Sequence, residues 1–303
     1  MRQVPYYLEI GRGPKFNGRM CADARQHIIR ADILHFADYE RVGRTVLVAE
    51  NPTDAKLYQI LGKALVTAKG WQWGVELELR GGGGHTIGGV FAEVVRDGRL
   101  ALGLADSDRE FPPLAHQHHD RRAGLGDTAK ALLDAAPEHC IQHAHVIHAR
   151  DLENLLPFTV YEEALAPHRN SPSMPEQLQA LDRAVPQHRL PWRAYADLKA
   201  GLRLVDVQGL PDGDYERFWA EVARAAGRDR CRDPAGCRAA GKCDCYVVEG
   251  LGPKALERAL AWLRGESLER LARMLDLEGD PQMEALCVKI AAWGSALTQR
   301  IRA

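Results

Sequence analysis

Glu50 closes the apolar run Thr45-Val-Leu-Val-Ala, Asp54 follows one helical turn later, and Asp106 and Asp108 come directly after a second run, Leu100-Ala-Leu-Gly-Leu-Ala. If both runs are strands of a parallel α/β sheet, these acids stand at strand carboxyl ends, where the loops of successive crossovers meet and ligands bind. Carboxylates drawn together from separate strands repel one another and resist ionisation unless a cation offsets their charge. Mg2+ or Mn2+ suits such a set, because hard cations take oxygen ligands and leave positions for water and a substrate phosphate. The chemistry expected is metal-assisted phosphodiester hydrolysis. Each acid also has a plainer reading: Asp54 complements the positive end of its helix, and Asp106-Ser-Asp108 is a loop bonding its own amides. Their order and shared placement at strand ends favour the metal.

Four of the seven cysteines fall in Cys231-Arg-Asp-Pro-Ala-Gly-Cys237-Arg-Ala-Ala-Gly-Lys-Cys243-Asp-Cys245, while Cys21, Cys140 and Cys287 are scattered. A long chain without a signal-peptide pattern argues against a disulfide framework. The four thiolates suit one structural Zn2+, which would staple a loop with little apolar content. The spacing is not a paired Cys-x-x-Cys, so four free thiols are an equal alternative. Between Arg224 and Lys242, six basic residues face two aspartates, which reads either as a local phosphate-binding surface or as a solvated loop. His116, His118 and His119 read as a solvated polar loop rather than as metal ligands or general acids, and His143 and His145, which His139 and His148 could join, as one strand face that hydrogen-bonds locally; none is assigned a role.

The elements that must position these groups read as follows. Thr45–Glu50 is a buried strand, and Asn51-Pro52-Thr53-Asp54 carries a helix-start signature for a helix to about Val66. Val75–Arg80 alternates like a strand, Gly81–Gly84 breaks it, and a helix from Thr86 to Val95 precedes the Asp97-Gly98 turn. Leu100–Asp106 is the next strand, followed by a Pro- and His-rich loop, a helix near Asp127–Ala136 and a strand at His145–His148. From Pro157 onward the periodicity is helical. Cys21–Tyr39 reads as one amphipathic helix, and the Gly-rich start as a strand pair or a partner-facing arm. The class is α/β.

With 46 % hydrophobic and 27 % charged residues, disorder and fibrous repeats are excluded. No apolar run approaches the roughly 20 residues of a membrane helix, and the start lacks a signal-peptide stretch, so a cytoplasmic protein with no membrane contact is expected. Forty Lys+Arg against 41 Asp+Glu confine any polyanion site to a local patch.

Val46-Leu-Val-Ala-Glu50-Asn-Pro-Thr-Asp54 resembles the Glu-Gly-x-x-Asp motif of the TOPRIM domain in overcoming-lysogenization-defect (OLD) nucleases, and Ala105-Asp106-Ser-Asp108-Arg109 resembles its Asp-x-Asp. Gly81–Gly84 sits where these nucleases carry a Gly-rich turn. Ala149-Arg-Asp-Leu-Glu153-Asn-Leu-Leu156 looks like the Glu-containing element after their last strand, although Glu153 also reads as a helix-start acid beside a capping Asp151. Asn51 stands where the family has Gly. The resemblance covers about residues 44–156. It implies three regions: an N-terminal segment (1–43), a Rossmann-like TOPRIM sheet (44–156) and a mostly helical C-terminal domain (157–303).

The resemblance also implies a function. Glu50, Asp106 and Asp108 would hold Mg2+ or Mn2+, with Asp54 and Glu153 completing the site and Arg109 holding a neighbouring phosphate. No Gly-x-x-x-x-Gly-Lys-Ser/Thr is present. The chain therefore looks like the stand-alone TOPRIM effectors of bacterial anti-phage systems of the PARIS type, which work with a separate ATPase subunit. DNA or RNA, tRNA included, is the expected nucleic-acid partner, and a homo-oligomer is compatible. The competing class is a non-catalytic TOPRIM-fold assembly protein.

Overall fold

A computed structural model of the chain describes residues 7–12, 21–23, 28–32, 43–113, 122–136, 142–168, 174–208, 213–240, 243, 245–275 and 280–296. It forms two units, Met1–Ala105 with Asp127–Val146 and Glu284–Ala303, and Asp106–Gly126 with Ile147–Met283.

The first unit opens with β1 (Tyr7–Gly11), β2 (Cys21–Asp23) and β3 (Ile28–Asp32), a small sheet in which β3 pairs parallel with β1 and antiparallel with β2. The helix expected over Cys21–Tyr39 is therefore corrected to strands at its described residues. Ile28 and Ile29 are β-branched, and pairing with Tyr7 and Leu8 on one side and with Ala22 and Asp23 on the other overrides the helical spacing.

The main sheet holds β4 (Val46–Ala49), β6 (Glu78–Gly81), β7 (Ala101–Ala105) and β8 (Gln142–Val146) in the order β6-β4-β7-β8, all parallel. Every residue of β4 and β7 is buried, as expected for central strands covered on both faces, whereas β6 and most of β8 are half-buried at the edges. The crossovers are α1 (Pro52–Ala68), α2 (Ile87–Arg96) and α3 (Asp127–Ala135), and β5 (Gly74–Val75) lies between α1 and β6. This is a Rossmann-like α/β arrangement. Gly103 lets the helices onto the sheet: a β-carbon there would come 2.6 Å from Leu132 and 3.0 Å from the Phe91 ring.

From β4 the chain crosses to β6 on one side and then to β7 on the other. The topological switch therefore falls between β4 and β7, the strands that Glu50 and Asp106 follow. The expected strand at His145–His148 lies instead at Gln142–Val146. β7 ends at Ala105, paired with Val146, so Ile147 and His148 have no strand to pair with.

The second unit is built from α4 (Phe158–Leu165), α5 (Met174–Ala184), α6 (Trp192–Tyr195), β9 (Leu202–Arg203), α7 (Leu204–Gln208), α8 (Asp214–Ala225), α9 (Pro234–Ala239), β10 (Tyr246–Val248), α10 (Ala255–Leu263) and α11 (Leu268–Met274). Its core aromatics bury their polar atoms with partners, as buried Trp and Tyr must. Trp192 Nε1 donates to the Val185 carbonyl (3.2 Å), Trp219 Nε1 to that of Glu110 (2.9 Å) and the Tyr161 hydroxyl to that of Glu153 (3.0 Å). α12 (Pro281–Trp293) and β11 (Ser295–Ala296) close the description.

Candidate functional site

In the first unit, Glu50 is the residue after β4, and its carbonyl accepts from Gly84 N (3.2 Å) while Ala49 O accepts from Gly82 N (2.6 Å). The Gly81–Gly84 turn thus wraps the backbone at Glu50. It needs glycine: Gly83 and Gly84 have φ of 68° and 62°, and a β-carbon on Gly82 would come 2.6 Å from Ile87. Asn51, which departs from the family pattern, caps α1. Its Oδ1 accepts from Thr53 N (2.9 Å) and Asp54 N (3.1 Å), and its Nδ2 donates to Asp54 Oδ2 (2.6 Å). Its φ of −140° is extended backbone open to any residue, so no glycine is required there. Asp54 is 4 % exposed, so it is not merely a solvated first-turn acid.

In the second unit, the structure brings Asp106, Asp151 and Glu153 around Lys199. Asp106 Oδ2 accepts from Leu152 N (3.3 Å), which ties the residue after β7 to the short 3-10 turn Leu152–Leu155. Ser107 N and Asp108 N donate to the carbonyls of Ala149 (3.2 Å) and Arg150 (3.0 Å), and Ser107 Oγ also donates to Ala149 O (2.7 Å), zipping the two segments together. Lys199 Nζ lies 3.0 Å from Asp151 Oδ1 and 3.5 Å from Glu153 Oε1.

Glu153 is 3 % exposed, and burial raises its pKa, with the Lys199 ammonium pulling the other way. Burial works against charge on Lys199 too, but Glu153, Asp151 and Asp106 together hold it well above an ordinary lysine. Glu153 is thus the first-turn acid beside a capping Asp151 that its plainer reading describes, and it is also a buried member of an acid cluster. Asp108 is the one described non-glycine residue with positive φ (55°), and a β-carbon on Gly126 would overlap its carboxylate. Strain held in place by a neighbouring glycine is typical of side chains set for a task. Arg109 Nε is committed to the Ala123 carbonyl (3.1 Å).

Sequence reasoning missed the residues that hold this cluster. Arg193, stacked over the Phe158 ring at 4.5 Å, donates to the carbonyls of Asn154 (3.2 Å) and Leu156, clamping the turn that carries Glu153. Asn154 Nδ2 donates to Arg193 O (2.6 Å) and Ala196 O (2.8 Å). Lys199 is placed by a local turn, in which Asp197 Oδ1 accepts from Lys199 N (2.9 Å) and Ala200 N (2.8 Å). Asp197-x-Lys199-Ala-Gly201 signals that turn, but nothing in the sequence says which acids it faces.

Lys199→Met is expected to destabilise the protein by about 1 kcal/mol at pH 8, a value discounted because the lysine side chain is 44 % exposed. The loss should shrink as pH falls through the raised pKa of Glu153, since a protonated carboxyl no longer needs the ammonium. Urea denaturation at both pH values checks it; equal losses would mean that Lys199 contributes packing alone.

The Cys231, Cys237, Cys243 and Cys245 sulfurs lie within 4.8 Å of one another, a cluster that could hold a metal ion such as zinc. Tetrahedral ZnS4 with bonds of about 2.3 Å spaces its sulfurs about 3.8 Å apart. The Cys231 sulfur is 3.7 Å from that of Cys245 and 3.8 Å from that of Cys243. Backbone N–H groups, first that of Arg232, bring the Cys245 thiol down to about 7, so one thiolate forms readily near neutral pH. The four free thiols are brought together despite their irregular spacing, because Asp233 caps α9 (Gly236 N to Oδ1, 2.9 Å) and folds Cys237 back.

His143 and His145 stack on β8 and face Lys289, whose Nζ is 3.0 Å from His143 Nε2 and 3.2 Å from His145 Nδ1, so their hydrogen bonding is to a residue distant in the chain and not local. Burial, then Lys289, brings His143 down to about 4. His116, His118, His119, His139 and Cys140 lie outside the described residues. Among the described residues, no helix is long and apolar enough to cross a membrane. Comparison with protein-family models, with curated proteins and with solved structures gave no match.

Proposed function

We propose that this chain is a divalent-metal-dependent phosphodiesterase of the TOPRIM type, an endonuclease cutting DNA or RNA as the effector of an anti-phage system under a separate ATPase partner. The observation that carries the reading is the gathering of Asp106, Asp151 and Glu153 about one cation, Lys199, within the second unit. An all-oxygen set that already attracts an ammonium fits a hard divalent ion. Glu50, Asp106 and Asp108 would hold Mg2+ or Mn2+, with Asp54 and Glu153 as further acids. When bound, such an ion activates water and offsets charge on the scissile phosphate. Around it, the chain's own residues hold the carboxylates in place: Leu152 N–H fixes Asp106, Arg193 fixes the Glu153 turn, and Gly126 makes room for Asp108.

Lys199 also favours a second reading. Its ammonium already offsets the acids, as it would in a non-catalytic assembly protein of the same fold. Cleavage separates the two. Plasmid DNA and bulk tRNA are incubated with the purified protein and Mg2+ or Mn2+, beside Glu50→Ala and Asp106→Ala. Cleavage that both variants lose supports the nuclease and identifies its nucleic acid. A folded wild type that neither cuts nor binds the metals would leave the assembly reading.

A further inference from the structure

The segment around the cysteine cluster has an organisation that core packing does not explain. Arg230 and residues 232–235 are exposed, as are 238–240, and nothing between 229 and 240 is buried. Its order comes from the four sulfurs and from the Asp233-Pro234-x-Gly236 start of α9, where a β-carbon on Gly236 would overlap the Asp233 carboxylate. Beneath it, Arg228 is buried and donates to the Val247 carbonyl (2.8 Å), tying the segment to β10.

What the segment shows to solvent is arginine. Arg230, Arg232 and Arg238 are exposed, and Arg238 Nε is anchored on the Pro234 carbonyl (2.9 Å), so that its guanidinium is oriented by the helix it belongs to. Burial, then the nearby Arg232 guanidinium, pushes Arg228 down, so two like charges are held close. Residues 224–240 carry five arginines and two aspartates, one of them spent on the α9 cap. The segment therefore stays positive even with the −2 of a zinc tetrathiolate counted. An arginine guanidinium, anchored as Arg238 is and flanked by the exposed Arg230 and Arg232, offers a planar fork of donors that matches phosphate oxygens, which a lysine ammonium does not.

We propose that this cysteine-stapled segment is a nucleic-acid contact that grips the phosphate backbone without reading sequence, through Arg230, Arg232 and Arg238. It rests on the nuclease reading only in naming nucleic acid as the polyanion, and binding and cleavage can fail separately.

Fluorescence anisotropy of the full-length, zinc-loaded protein on a labelled DNA duplex and a labelled RNA, without Mg2+ or Mn2+, tests it. The triple variant Arg230→Ala/Arg232→Ala/Arg238→Ala is compared with Arg183→Ala/Arg189→Ala/Arg264→Ala, which removes the same charge from other exposed positions. Zinc content and circular dichroism check that each folds. The first triple should weaken binding at least tenfold and lower the slope of log affinity against log salt on duplex DNA by about 2 to 3, at about 0.9 for each phosphate no longer neutralised. The control triple should change affinity less than about twofold, leaving the slope in place. Equal effects of the two triples, an unchanged slope in the first, or no binding by the wild type would each overturn the proposal. Failure of the nuclease reading would show only in the cleavage assay.

Discussion

Under the proposed nuclease reading, Glu153→Gln is expected to cut activity by at least about a hundredfold, taking the 10- to 100-fold loss from mutated outer-shell partners of metal sites as a floor. It should leave the protein at least as stable as the wild type at pH 8. The stability half follows from linkage. The Glu153 pKa is raised above 4.5, so the folded state holds this proton more tightly than the unfolded state does. Stability from that group is complete below about pH 4.5 and lost as pH rises through the folded value. At pH 8 the wild type carries a buried carboxylate that Lys199 only partly offsets. Glutamine keeps the shape and removes the charge. Melting temperatures of the two proteins should therefore differ most at pH 8 and converge near pH 4, with the variant equal or higher throughout. A drop in stability at pH 8 as marked as the loss of activity would mean that Glu153 is kept for its ion pair with Lys199 and not for chemistry.

Metal removal at the cysteine cluster is expected to have the largest energetic effect in the molecule. Structural zinc in small cysteine sites contributes about 10–16 kcal/mol of apparent binding free energy, and that energy is folding energy where the site is not otherwise preformed. Nothing between 229 and 240 is buried, so packing has little to substitute for it. The protein should contain one zinc per chain, and Cys231→Ser or Cys245→Ser should lose nearly all of it. The chelated protein should become sensitive to trypsin at Arg232 and Arg238, while the β4–β7 core, whose strands are buried throughout, keeps its melting transition. A zinc-free wild type whose tryptic pattern a chelator leaves unchanged would show that the four thiols are held by the loop alone.

Much of the sheet was legible in the sequence, for reasons that can be named. β4 and β7 are central strands, so burial on both faces demanded continuous apolar runs, and those runs stand out. Asn51-Pro52 and Gly81–Gly84 announced a cap and a turn because only a few residue types satisfy those backbone demands. The edges were harder. β8 was misplaced toward His148, because an edge strand is half-buried and its limits are set by where β7 ends. Cys21–Tyr39 misled because helical spacing there competes with strand pairing, both within the segment and with β1, which that spacing does not report.

By itself, the sequence determined the class, the central strands, the acids that follow them and the grouping of four cysteines. Those are consequences of local pattern and chain order. Only the tertiary structure decided that the helix-start acid Glu153 is buried, that Lys199 stands among Asp151, Glu153 and Asp106, and that Arg193 clamps their turn. It also decided that Gly126 opens space for a strained Asp108 and that irregularly spaced cysteines converge on one point. The physical reason is the same in each case. Burial, charge pairing and convergence depend on residues tens of positions apart meeting in space, and the period of a helix or strand carries no information about such meetings.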